Sequence, residues 1–169
     1  KFTEEPALII AMTGTLRNDW QEKERDATFF DLKGTVEALL KELKLSSAFE
    51  ACRIKGLKGC AKIDVKEAGH VGFIAKVGKA ALEAYDIPQS VYICQIRMGK
   101  VIGRASLENK YEPVPKYPSS SRDISILCGK EVSAGDIFKI VSKVQEEIIQ
   151  DVELVDVYEG KQVPAGKKS

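Results

Sequence analysis

Hydrophobic and polar positions alternate with two different periods along this chain, and each change of period marks a new element. Residues 7–16, ALIIAMTGTL, form an apolar run broken only by Thr-Gly-Thr. The run is short for a helix and long enough for a strand, and its continuity predicts burial on both faces. A charged stretch around Trp20 reads as a loop. In DLKGTVEALLKELKL, Leu32, Val36, Leu39, Leu40 and Leu43 recur at the helical period. That stripe packs one face on a sheet and leaves Lys33, Glu37, Lys41 and Glu42 to water, with Asp31 placed to cap the first turn. From Ala61 the period becomes two. Ala61, Ile63 and Val65 alternate, the chain turns around Glu67 to His70, and Val71, Phe73 and Val77 resume the pattern, which predicts a hairpin without a two-residue turn signature. Residues 80–85 predict a short helix ended before Pro88, and SVYICQI predicts a returning strand. This order is α+β, one antiparallel sheet with helices on one face.

Beyond Met98 the pattern breaks. GKVIGRASLENK mixes polarity around two glycines, and Pro113, Pro115 and Pro118 stiffen the stretch after it. A first domain is therefore expected over residues 1–103, a linker over 104–115 and a second domain over 116–169. In the second, RDISILC predicts a strand over 122–128. Ser133 and Asp136 approximate a capping box ahead of a helix over 133–150 striped by Ile137, Ile140, Val141, Val144 and Ile148. A second strand is expected over 152–158, with no third before the final Lys-Lys-Ser. Two strands under one helix are marginal. The second domain is accordingly expected to continue past Ser169, and the opening Lys-Phe-Thr-Glu-Glu-Pro suggests a piece cut from something longer.

Composition narrows the chemistry. The 169 residues are 44% hydrophobic and 30% charged, sufficient for a core, and the formal net charge of +1 lacks the strongly basic signature of a chain that grips nucleic acid by bulk charge. Any such contact must rest on locally placed cations and aromatics. Cys52, Cys60, Cys94 and Cys128 form no CxxC pair and read as reduced, buried thiols of a cytosolic protein. His70 is the sole histidine and has no Cys or Asp at ligand spacing, so no metal site is expected. Nucleotide-binding glycine motifs, HExxH and a nucleophile with a histidine base are all missing, GKVIGR lacks the lysine-hydroxyl pair of a phosphate loop, and Glu146 and Glu147 read as a solvated face. The residues describe a non-catalytic two-domain module that binds no cofactor of its own.

A family resemblance is carried by MTGTL, Trp20 and FFDLKGTVEALLKEL, then HVGFIAKVGKAALEAYDI, VYICQI, YEPVPKYPSSSRDISIL, VSAGDIFKIV and VELVDVYEGKQVPAGKKS, in that order. Together they resemble the C-terminal part of the β subunit of bacterial phenylalanyl-tRNA synthetase over nearly the whole chain. The resemblance implies that the first domain is a class II synthetase-like fold without an active site. It implies that the second is the start of a ferredoxin-fold anticodon-binding domain. The whole enzyme so implied is cytoplasmic, has two α and two β subunits, and joins phenylalanine to tRNA-Phe with ATP and magnesium. Its catalytic residues lie in the α subunit, and no DNA or membrane is involved. Two departures stand out. Where the family has a His-Pro-Gly turn this chain reads RIKGLKGCAKI, and where the family often has two arginines Ser121 precedes Arg122.

Under that resemblance, KYPSSSRD supplies what a reader of unstacked bases uses, an aromatic for stacking with hydroxyls and a guanidinium for hydrogen bonds. Lys116, Tyr117, Ser119 and Arg122 are the candidate tRNA contacts, and Lys161, Lys167 and Lys168 are candidates on the phosphate side. The alternative for Arg122 is an ion pair with a nearby carboxylate. Trp20, an aromatic in a charged loop, is the candidate subunit contact, or else a cap on its own core. Two other functions remain open: a ferredoxin-like module that senses a small molecule, and a purely structural interface domain.

Overall fold

A computed structural model of the chain describes residues 4–16, 24–108, 111, 113, 116–141, 143–144, 148–160 and 162–169. The chain divides into two compact units, Lys1–Tyr111 and Glu112–Ser169. The first contains β1 (Ala7–Thr13), β2 (Thr15–Leu16), β3 (Arg25–Asp26), α1 (Phe29–Glu42), β4 (Ser47–Cys52), β5 (Leu57–Val65), β6 (Gly69–Val77), α2 (Lys79–Ala84), β7 (Val91–Arg97) and α3 (Met98–Val101), the last running into a 3-10 turn, Ile102–Arg104. Five strands form one sheet in the order β1-β7-β6-β5-β4, with every neighbour antiparallel. This is the α+β architecture read from the sequence.

The helical stripe explains why α1 lies on this sheet. Leu32, Val36 and Leu40 are fully buried and join Ile63, Val65, Val71, Ile74, Cys94, Ile96 and Val101 in one core. Leu39 and Leu43 only flank it. Lys33 is half-buried rather than solvated, because its ammonium lies 4.7 Å from the centre of the Phe49 ring while it pairs with Glu37. The helix is capped at Thr28 with the help of Asp31, its third residue. Its carboxylate accepts from the Thr28 N–H at 2.8 Å and from the Thr28 hydroxyl at 2.6 Å, and Arg25 grips both oxygens at 2.8 and 2.6 Å. These donors, Arg25 first, hold the Asp31 carboxyl far below the usual range.

The hairpin forms as expected, β5 to β6, with Gly69 at φ +66° closing a three-residue turn. Its facing differs from strict alternation. The register shifts between Ile63 and Asp64, leaving Val71 without a paired residue, so Val71 and Ile74 both reach the core while Phe73 does not. Gly72 has a steric reason to be glycine, since a Cβ there would stand 1.9 Å from the Gln95 carbonyl oxygen of β7. GKVIGR is helical, within α3 and the 3-10 turn.

β1 corrects the expectation of a doubly buried strand. Among the described residues it pairs only with β7, and it alternates, with Leu8, Ile10 and Met12 against the core and Ile9 68% exposed. An apolar run signals a strand, but burial on both faces requires a covering layer on each, and an edge position with one helical layer supplies one.

In the second unit, β8 (Cys128–Gly129) pairs antiparallel with β9 (Lys167–Lys168), and α4 (Ala134–Val141) lies between them in sequence. Tyr158 and Ser169 exchange backbone hydrogen bonds, 2.7 Å from the Tyr158 N–H and 3.0 Å from the Ser169 N–H. Three expectations change here. A third strand does begin before the chain end, at Lys167. The strands expected over 122–128 and 152–158 are not formed as ladders, apart from Cys128 and the Tyr158 exchange, and Ile124 and Val155 are 81% and 84% exposed. The described helix is shorter than 133–150; part of its expected end, with Glu146 and Glu147, lies outside the described residues. Strand geometry is held by a ladder partner, and β8 and β9 pair with each other over two residues each. The capping box does form, with Ser133 Oγ donating to Asp136 Oδ2 at 2.7 Å and accepting from the Asp136 N–H at 3.2 Å.

Candidate nucleic-acid interface

Before Arg122, the described Tyr111, Pro113, Lys116, Tyr117 and Pro118 present their side chains outward. Tyr117 is 75% exposed, with the Lys116 ammonium 5.8 Å from its ring centre. Ser119 is exposed. Arg122 donates through Nη1 to Ser120 Oγ at 3.0 Å and to the Ser121 carbonyl at 2.9 Å, contacts that fold the guanidinium back over its own chain. Among the described residues no ion pair of Arg122 with a carboxylate is formed. An aromatic face, an adjacent ammonium and a guanidinium with spare donors thus sit within seven residues, a set able to stack a base and bind phosphate oxygens.

Lys167 and Lys168 lie on β9, opposite Gly129 and Cys128. Ser125 and Ser169 join hydroxyls at 2.9 Å, which ties the segment after Arg122 to the end of β9. Thus the structure brings the Arg122 segment and the Lys167–Lys168 pair into one unit. Lys161 and Trp20 lie outside the described residues.

Sequence reasoning passed over two charged contacts. Lys130 pairs with Glu159 at 2.5 Å and holds that carboxyl below its ordinary range; nothing in its neighbourhood marks Lys130 out from any surface lysine. In the first unit, Arg97 Nη2 and Lys100 Nζ both donate to the His70 carbonyl, at 2.6 and 2.9 Å, clamping the β5–β6 turn to the end of β7. His70 also lies 3.6 Å from Asp64, across the hairpin. Among the described residues no three His, Cys, Asp or Glu side chains gather as a metal site, and no helix is long and apolar enough to cross a membrane.

These features define an antiparallel α+β unit followed by a second, smaller unit of one helix and a short antiparallel ladder. The model of the ferredoxin-fold anticodon-binding domain matches residues 115–169. The phenylalanyl-tRNA synthetase beta chain CLM domain matches residues 1–98, and the chain belongs to that family. It is similar to the phenylalanine–tRNA ligase beta subunits of Dehalococcoides mccartyi, at 29% identity over 172 residues, and of Bacillus thuringiensis subsp. konkukian, at 31% over 170 residues. These alignments cover 100% and 98% of this chain and 21% of each relative. The beta subunit of Clostridium tetani is 31% identical over 98% of this chain and 20% of its own length. The chain therefore spans about a fifth of the length of these relatives.

Proposed function

We propose that this chain is the tRNA-reading and subunit-packing part of a phenylalanine–tRNA ligase β subunit. The second unit reads the anticodon of tRNA-Phe through Lys116, Tyr117, Ser119 and Arg122, with Lys161, Lys167 and Lys168 toward the phosphates. The first unit, from the start to about residue 103 with a linker to about 115, is a class II synthetase-like scaffold without catalytic residues, and Trp20 contacts another subunit. The α subunit performs the ATP- and magnesium-dependent joining of phenylalanine to tRNA in a cytoplasmic enzyme of two α and two β chains. The observation that carries this reading is the match of the anticodon-binding model to the segment that bears the exposed Tyr117 and Arg122, whose guanidinium donates to Ser120 and Ser121.

Division of labour makes the test clean. In the complete β subunit assembled with α, Arg122→Ala should weaken tRNA-Phe binding about 10-fold, the loss of one or two charge-assisted hydrogen bonds. ATP–pyrophosphate exchange with phenylalanine should stay unchanged, because that step needs no tRNA. Unchanged affinity would remove Arg122 from the interface. Loss of affinity for tRNA with and without its anticodon loop alike would remove the anticodon assignment.

A further inference from the structure

Cys52 and Cys60, eight positions apart in the sequence, face each other across the edge of the sheet. β4 and β5 pair with Cys52 directly opposite Cys60. One step beyond the ladder, in the same register, the Lys66 N–H donates to the Ser46 carbonyl at 3.1 Å. Hydrogen-bonded pairs recur at every second residue of an antiparallel ladder, so Ala48–Asp64, Glu50–Lys62 and Cys52–Cys60 are all of that kind. The Cα atoms of such a pair stand about 5.5 Å apart, inside the roughly 4.4–6.8 Å that a disulfide spans, and closing the bond requires the end of β4 at Cys52 to draw its Cβ in from about 5.5 Å to about 4 Å. Directly opposite residues project to the same face of a sheet, so the two sulfurs point the same way. Both thiols are free. Cys52 is partly exposed and Cys60 is buried, 8% accessible. Burial first and then the neighbouring Cys60 raise the Cys52 thiol, against the opposing pull of the Lys62 N–H and ammonium.

We propose that Cys52 and Cys60 are an oxidation site, at which exchange with a low-molecular-weight disulfide forms an intramolecular bond that staples edge strand β4 to β5. The accessible thiol reacts first. Cys52 gives its proton to solvent, its thiolate attacks one sulfur of the small disulfide, and that S–S bond breaks to release one thiolate. Cys60 then loses its proton and attacks Cys52 Sγ, displacing the second small thiolate. The small disulfide is reduced to two thiols and the protein pair is oxidised, with two protons and two electrons accounted for. The bond would close the 52–60 loop, whose turn is already set by Gly56 at φ +83°. The other cysteines lack such a partner. Cys94 is buried on β7, with its thiol pushed up to about 12 by that burial, and Cys128 stands opposite Lys168.

The test titrates the folded chain with oxidised and reduced glutathione, blocks remaining thiols with N-ethylmaleimide, and maps the peptides by mass. The expected product is a peptide pair linked through 52 and 60, with Cys94 blocked by maleimide only after unfolding. Cys60→Ser should stall at a glutathione adduct on Cys52, at several times the wild-type yield of that adduct, and Cys52→Ser should leave Cys60 reduced. A wild-type protein that accumulates the Cys52 adduct without closing the bond, or that forms the link only in urea, would overturn the proposal. The wild-type map decides the matter even if neither variant folds.

Discussion

The two units carry helices of the same design and bury them to opposite degrees. α1 and α4 each present an apolar stripe and each begin at a hydroxyl-carboxylate cap. Yet the buried hydrophobic residues among those described all lie between Ala27 and Val101 in the first unit, whereas Ile140 on α4 is 66% exposed. The difference lies in the sheet. Five hydrogen-bonded strands offer α1 a continuous apolar floor, while two residues each of β8 and β9 offer α4 none. An amphipathic stripe shows which face of a helix is available for burial, and the layer opposite decides whether that burial happens.

The largest expected effect lies where the contrast is sharpest. Leu32→Ala removes a fully buried side chain from beneath the sheet and should cost about 2–5 kcal/mol, while the same change at the partly buried Leu39 should cost less. Urea unfolding followed by far-UV circular dichroism measures both. Equal losses at the two positions would mean that α1 rests on the sheet with a different face from the one observed.

What was legible in the sequence obeys the same division between local and layered information. The α1 stripe and the Ser133–Asp136 cap could be read because each depends on residues within one or two turns. The hairpin could be read from its period of two. The edge position of β1 could not, since ALIIAMT looks the same at an edge as at the centre, and it is the lack of a covering layer on its outer face that exposes Ile9. The bulge at Val71 was likewise hidden, because a register shift is a property of two strands. The Cys52–Cys60 register and the meeting of Arg97 and Lys100 at His70 arise only once strands distant in sequence are paired. In the second unit, Tyr117 is exposed and the contacts of Arg122 with Ser120 and Ser121 stay within its own segment. Lys-Lys gives no hint of a strand, and β9 exists because Cys128 and Gly129 present a ladder edge to it.

A smaller effect tests the caps through pH. The Arg25 guanidinium and the Thr28 hydroxyl favour the ionised form of Asp31, so its folded pKa lies below the unfolded value near 3.9. A depressed carboxyl contributes stability that is complete above the unfolded pKa and is lost as pH falls through the folded one. Wild-type protein should therefore lose stability progressively below about pH 5. Asp31→Asn should start from a lower midpoint at pH 7 and decline less on acidification, so that the two curves converge in acid. Asp136 is also held low, by Ser133, but Asp136→Asn should leave the main cooperative transition unmoved because its helix contributes no residue to the core. A shift of that transition by Asp136→Asn would couple the two units and break the contrast between them.

The smallest effect is expected on the exposed stripe of α4. Ile140→Ser exchanges residues of similar helix propensity at a position already 66% exposed, so no cavity forms and the change in stability should stay within about 0.5 kcal/mol. The measurement is urea unfolding at two protein concentrations. Concentration matters because the exposed Phe138, Ile140 and Val144 can be buried by a second copy of the chain, and burial by association strengthens with concentration. A near-zero change at both concentrations would leave α4 uncovered in solution, in agreement with the structure. A loss that appears only at the higher concentration would show self-association supplying the missing floor. A loss approaching that of Leu32→Ala at both would mean that the chain covers this stripe itself, and the exposure of α4 would then be wrong.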